Sequence, residues 1–360
     1  IRVVKWLFKH LNLFALCALL AVSTASTYAD NLPDNFDQLP DDVQAVLLDF
    51  LEPPPADVWG PNGEVSGTHT MVRYLDDFHT LVKIDFERGL IRVETRGAEE
   101  PLLQLRQAIV GTLLTPADPR EIDLYTATDF GLTGRPFLAG QVKDQEGQVI
   151  EYPWRAQRYA DYLLTRSLVK TRDGYLIEIP MVSQHKQVSA NLYRPFVDAA
   201  AQRYRISPAL ILAVIETESS FNPFAVSPAR AYGLMQVMQK TAGRDVMAKI
   251  HGKDHAPSRQ YLLDPRNNIE TGTAYLSILR DSYLAGIKGD RKREYCMIAA
   301  YNGGAGQLLR TFHRDRNKAL AQINSMSEDK LYRYLTTRHP KEETRRYLEK
   351  VIARKQKYGE

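Results

Sequence analysis

Cysteine is nearly absent: the 360 residues carry two, Cys17 and Cys296. Cys17 lies in an apolar N-terminal run with the character of a secretion signal. If it leaves with that signal, Cys296 is alone and no disulfide within the chain can form. Cys296 sits among Tyr295, Met297, Ile298 and Ala299, a setting for a small buried apolar side chain. Charge of one sign is also scarce. The 47 Lys and Arg against 43 Asp and Glu leave +4, a mild basic bias that suits a polyanionic partner such as a cell wall. No interleaved basic and aromatic array marks a nucleic-acid binder, so nucleic acid is excluded as a partner. The eight His residues lack zincin spacing, and no Gly-rich phosphate loop follows a strand. His251 and His255 are four apart, but Gly252 and Pro257 make them loop residues. No metal and no cofactor is expected. There is no internal repeat, and the apolar run Leu11 to Val22 is short of the roughly 20 residues that span a bilayer.

What is present begins with that N-terminus. Arg2, Lys5 and Lys9 precede the apolar run, and Thr27-Tyr28-Ala29 offers a cleavage site before Asp30. Residues 1–29 therefore read as a signal peptide and the mature protein as periplasmic. A retained anchor is the alternative. Residues 30–66, with Pro40, Pro53 to Pro55, Gly60-Pro61 and Gly63, read as a linker holding one short helix at Asp41 to Leu51. From 67 to 190 the pattern mixes strand and helix. Val82, Ile84 and Phe86 alternate with Lys83 and Asp85, Gly89 occupies a turn, and Ile91 and Val93 continue the alternation as a hairpin. Glu99 to Leu114 predicts a helix with Leu102, Leu105, Ile109 and Leu113 on one stripe. Strands are expected at 137–142 and 175–181, and a short helix at 159–167. This first domain is α+β. The remainder, 191–360, carries helical patterning throughout.

The most informative stretch opens that second domain. Ser207 and Pro208 form a helix start. Leu210, Ile211, Val214 and Ile215 form a stripe at helical spacing, and Glu218 falls on it. A carboxyl on an apolar face has a raised pKa, because desolvation disfavours its charged form. Such a group serves as a general acid. Glu216 points to nearly the opposite side and reads as a surface carboxylate.

Glu-Ser-Ser-Phe-Asn-Pro (218–223), Ser227, Gly-Leu-Met-Gln (233–236) and Ala-Tyr-Asn-Gly-Gly (300–304) follow one another in a fixed order. Asp264-Pro265, Asn268-Ile269, Gly272, Tyr275-Leu276 and Arg345 to Leu348 extend the series. In order and spacing these segments resemble lytic murein transglycosylases of the soluble-transglycosylase and goose-type lysozyme superfamily. The stretch 82–95, with Leu105-Arg106, Ala108-Ile109 and Asp123 to Tyr125, resembles the N-terminal domain of a membrane-bound branch of that family. The resemblance covers roughly residues 68–358. It implies an all-α lysozyme-like catalytic domain behind the α+β domain, and peptidoglycan glycan strands as substrate. The membrane-bound members carry a lipid-accepting Cys after a small residue. Leu16 before Cys17 departs from that pattern, so simple cleavage is expected over acylation; membrane association through an N-terminal lipid remains the alternative.

By the same resemblance Glu218 is the catalytic acid and base. Ser227, Gln236, Met238, Tyr301, Asn302 and Tyr347 line the substrate cleft. Each has a plainer reading: Ser227 starts a turn, Gln236 caps a helix, Tyr301 is core, Asn302-Gly303 is a turn dipeptide. Glycosidic cleavage ordinarily uses two carboxyls, and these motifs offer one. A single carboxyl suffices when the 2-acetamido group of an N-acetylated sugar supplies the nucleophile. The expected product is then a 1,6-anhydro-N-acetylmuramic acid end, formed without water, by a carbon–oxygen lyase. A hydrolytic muramidase and a peptidoglycan-binding scaffold are the alternatives.

Overall fold

The computed structural model describes residues 56–60, 63–116 and 135–359. The expected signal peptide, Cys17, the helix at 41–51 and the Asp123 to Tyr125 segment lie outside them. Helix α1 (Ala56–Trp59) precedes strands β1 (Thr70–Leu75), β2 (Thr80–Asp85) and β3 (Leu90–Arg96). Helices α2 (Pro101–Leu113) and α3 (Pro153–Arg166) follow, then β4 (Val169–Lys170) and β5 (Gly174–Pro180). The strands form one antiparallel sheet in the order β1-β2-β3-β5-β4. The period-two pattern of the hairpin decides which face is buried. Val82 pairs with Val93 and Ile84 with Ile91. Val93 and Ile91 pair in turn with Ile177 and Ile179. All six are buried beneath α2 and α3. Gly89 closes the hairpin turn at φ +69, where a Cβ would lie 2.7 Å from the His185 ring.

Three local expectations are corrected. Residues 137–142 form turns and isolated bridges rather than a strand; Phe137 and Leu138 are buried there, so their apolar character reports a packed turn. Leu102 is 46% exposed, while Leu105, Ile109 and Leu113 of the expected stripe are buried, joined by Ala108, Val110 and Thr112. Trp59, in the Pro- and Gly-rich stretch, is buried against Val72 and Leu81, and Arg96 lies over its ring at 4.5 Å.

The helical part opens with α4 (His185–Tyr204) and α5 (Pro208–Ser219). A two-residue hairpin follows, β6 (Ala231–Tyr232) with β7 (Val237–Met238). After a π-turn (Gln239–Gly243) come α6 (Arg244–Lys249), α7 (Arg259–Leu263) and α8 (Pro265–Ile278), which passes into a second π-turn (Leu279–Tyr283). Helices α9 (Asp290–Gly303), α10 (Ala305–Phe312), α11 (Arg316–Ser325), α12 (Glu328–Arg338) and α13 (Glu342–Lys357) complete it. Helix α5 is the core element. Every residue from Ala209 to Glu216 is buried, and the helix packs between α4 and α13. Cys296 is fully buried in the same core, and burial pushes its thiol up to about 12. Among the described residues no helix is long and apolar enough to cross a membrane.

Candidate active site

The site is built at the end of α5. The Ser207 side chain accepts from the Leu210 amide at 3.3 Å, with Pro208 in the first turn. The helix then stops abruptly. Ser220 and Phe221 both adopt left-handed backbone, φ 51 and 65, a conformation that turns the chain away and is unusual for two successive side chains. The stop leaves Glu218 one residue inside the helix end, partly buried. The phenol of Tyr347, from α13, donates to its Oε1 at 2.7 Å. Burial raises the Glu218 carboxyl to about 8; the Tyr347 bond works against that shift and the charge of Glu343 adds to it. Tyr301, from α9, donates to the Met235 carbonyl at 2.9 Å. It lies near enough to Glu218 that their interaction helps hold its phenol well above the ordinary value, after burial.

The wall beside Glu218 is the turn 231–238. Gly233 sits at φ +69, and a Cβ there would lie 2.5 Å from the Asn268 amide and 2.7 Å from the Leu262 carbonyl. Asn268, from α8, is fully buried. It donates to the Tyr232 and Leu262 carbonyls, both at 2.7 Å, and accepts from the Met235 amide at 2.8 Å. Gln236 has φ 46. Its Nε2 donates to the carbonyls of Gly233 and Ala225 at 2.9 and 3.2 Å. Two acceptors on one side fix the amide's orientation, so the unpartnered atom is the buried Oε1. It does not cap a helix.

The remaining expected residues divide. Asn302 is spanned by α13: Thr344 donates to its Oδ1 at 2.7 Å, and its Nδ2 donates to Glu343 at 3.1 Å. Ser227 accepts from the Ala231 amide at 3.0 Å and so holds its own turn. Met238 is 41% exposed at the end of β7. Glu343 and Thr344 were missed by sequence reasoning. Their signal was spacing, since Glu343 precedes Tyr347 by one helical turn. Among the described residues no group of His, Cys, Asp or Glu is arranged to hold a metal.

The reading of Glu216 is overturned. It is buried, not a surface carboxylate. Lys357 reaches it at 3.2 Å, Arg354 at 3.6 Å and Lys186 at 3.9 Å, and the Tyr358 hydroxyl donates to it at 2.6 Å. Helix α5 is enclosed on all sides, so facing away from Glu218 is not facing water. Glu216 and Glu218 differ in partners: one meets three cations, the other a phenol and a neighbouring carboxylate.

Comparison with known proteins bears on this arrangement. The family described as membrane-bound lytic murein transglycosylase C, N-terminal domain, matches residues 41–192. The transglycosylase SLT domain family matches residues 195–324. Membrane-bound lytic murein transglycosylase C of Yersinia pestis (strain Pestoides F) is 46% identical over 307 residues, 84% of this chain and 86% of that protein. The protein of the same name from Yersinia pseudotuberculosis serotype O:1b (strain IP 31758) shows the same values, 46% over 307 residues with 84% and 86% covered. Among solved structures, an inactive variant of the lytic transglycosylase Slt from Pseudomonas aeruginosa is 28% identical with a TM-score of 0.37. That match takes 46% of this chain and 24% of that longer one.

Proposed function

The chain belongs to the family of membrane-bound lytic murein transglycosylase C, and from that premise we propose that Glu218 performs both proton transfers of a non-hydrolytic cleavage of peptidoglycan. The bond is the β-1,4 link from N-acetylmuramic acid to N-acetylglucosamine. The observation that carries the proposal is a partly buried carboxyl raised to about 8, protonated at neutral pH, with the Tyr347 hydroxyl on Oε1. Because Oε1 accepts from Tyr347, the transferable proton rides on Oε2. Glu218 gives it to the glycosidic oxygen as the bond to C1 breaks. The carbonyl oxygen of the muramoyl 2-acetamido group bonds to C1. The Glu218 carboxylate then takes the proton of the 6-hydroxyl while O6 displaces the acetamido oxygen, and the carboxyl is restored. The ring closure is intramolecular. A well-oriented internal nucleophile has an effective molarity of up to about 10⁵–10⁸ M, which outcompetes water.

Tyr347 supports the ionised state of Glu218 between the two transfers. Tyr301 and Gln236 shape the sugar path beside it, Tyr301 through its bond to the Met235 carbonyl and Gln236 by bracing the turn 233–236. Asn302 braces α9 against α13 and, with Ser227 and Met238, borders the glycan path. Since no water enters, the enzyme is a carbon–oxygen lyase. It works at the envelope, facing the periplasm, after removal of the N-terminal signal; attachment through an N-terminal lipid is the alternative.

Digestion of peptidoglycan in heavy-oxygen water, with mass analysis of the fragments, tests this. The expected ends are 1,6-anhydro-N-acetylmuramic acid, unlabelled and resistant to borohydride. Labelled reducing ends would refute the mechanism and point to Glu343 as a water-activating partner.

A further inference from the structure

A second cavity opens along the same face of the helical part. It holds about 460 Å³ between the second π-turn, α8 and the start of α10. Tyr275, Tyr283, Arg310, Arg314, Arg316 and Asp245 are among the residues that line it. One lining residue touches a residue of the candidate active site. The Tyr275 ring lies 5.7 Å from that of Tyr301, and α10 begins at Ala305, directly after the Asn302-Gly303-Gly304 stretch.

The charges do not balance within the cavity. The Asp245 carboxylate is engaged by the Tyr283 hydroxyl at 2.7 Å. Lys249 stands over the Tyr283 ring at 4.0 Å and adds a further positive charge. Arg316 donates to the Tyr283 carbonyl at 2.9 Å, and Arg310 reaches only the neutral Gln307 side chain at 3.5 Å. Asp315, between Arg314 and Arg316 in sequence, spends its carboxylate on the Lys318 amide at the start of α11. Among the described residues none of the three guanidinium groups is ion-paired. Arg155, by contrast, is neutralised by Asp144 at 2.5 Å. Aromatic rings suit a sugar face, and guanidinium forks suit carboxylates.

Resting on the peptidoglycan reading above, we propose that this cavity binds the carboxylates of the peptide carried by a muramoyl residue further along the bound strand. The arginines select peptide-bearing glycan by charge, while Tyr275 and Tyr283 hold the sugar. Binding is accordingly sensitive to salt, since the guanidinium groups are exposed.

The test uses the full chain and a variant carrying Arg310→Gln and Arg314→Gln. Both side chains are exposed, and thermal melting confirms that the variant folds. Two substrates are compared: intact sacculi, and sacculi whose carboxyls have been converted to carboxamides with carbodiimide and ammonia. On intact sacculi the variant should show a KM raised about tenfold with kcat unchanged. On amidated sacculi variant and parent should coincide. Equal kinetics on intact sacculi, or equal losses on both substrates, would overturn the inference. Calorimetric binding of a disaccharide-peptide fragment by both proteins decides the matter separately from turnover. If the parent makes no anhydro ends, the proposed reaction fails, yet a fragment bound by the parent and not by the variant still upholds the carboxylate site.

Discussion

Glu218 shows what one carboxyl gains from its surroundings. An unfolded chain ionises it near 4.5 and the folded chain near 8. Between those values the folded state keeps a proton that the unfolded state has released, so stability falls as pH rises through that window. Glu218→Gln removes the titration and keeps the shape, and its amide oxygen can still accept from Tyr347. The variant should lose at least about 10²–10⁴ in kcat and melt at a higher temperature than the parent. That gap should widen from pH 5 to pH 8, measured by calorimetric melts across the range. A variant equally stable at both ends would contradict the raised pKa. Tyr347→Phe offers the converse test. The lost bond favoured the ionised form, so the alkaline limb of kcat/KM should move upward while kcat drops, and a pH profile reads both. No movement of the limb would separate Tyr347 from the proton transfers.

At the scale of elements, a buried amide holds the turn that forms the cleft wall. Asn268 satisfies three backbone groups, the carbonyls of Tyr232 and Leu262 and the amide of Met235. Each orphaned buried group costs about 1–3 kcal/mol. Asn268→Ala should therefore destabilise by several kcal/mol, seen in denaturant melts, and raise KM by freeing the turn that carries Gln236. Asn268→Asp would be no rescue, since the carboxylate cannot donate to two carbonyls. The helix start is a milder case. Ser207→Ala removes the cap on the Leu210 amide and should cost about 1 kcal/mol with little change in KM, because packing rather than capping holds α5.

Across the molecule, the end of α5 is tied to both neighbours. Glu87, at the hairpin turn of the sheet, accepts from Ser220 and pairs with Lys186 at 2.9 Å and Arg354 at 3.4 Å. Burial pushes its carboxyl upward, but these bonds and charges outweigh it and hold it at about 2. Lys186 and Arg354 also approach Glu216, so α4, α5, α13 and the hairpin share one cluster. His69 joins it through Ser220 at 3.0 Å, and Asn222 donates to the Thr68 carbonyl at 3.1 Å. Glu216→Gln should be far from silent. It leaves three cations facing a neutral amide, and breaking a buried ion cluster costs about 3–5 kcal/mol. A melting temperature within a degree of the parent would show the cluster to be dispensable. Glu87 adds stability above its unfolded pKa near 4.5, lost as pH falls toward 2.

The sequence by itself determined the elements with strict periods and the residues with chemical singularity. The hairpin of β2 and β3 was legible because alternation admits one buried face, and Ser207-Pro208 marked the start of α5. Glu218 was legible as a carboxyl among apolar neighbours, and its raised pKa follows from that setting. Local pattern did not distinguish a packed turn from a strand at 137–142, since both bury the same side chains. Nor did it reveal that α5 is enclosed on every side. That enclosure comes from α4, which ends at Tyr204 just ahead of α5, and from α13, which begins far downstream at Glu342, and it turned Glu216 from a solvated face into a buried ionic hub. The partner of Glu218 is also a long-range fact, because Tyr347 lies 129 residues away. Spacing along a helix reports which residues share a face; what covers that face is decided only when distant segments meet.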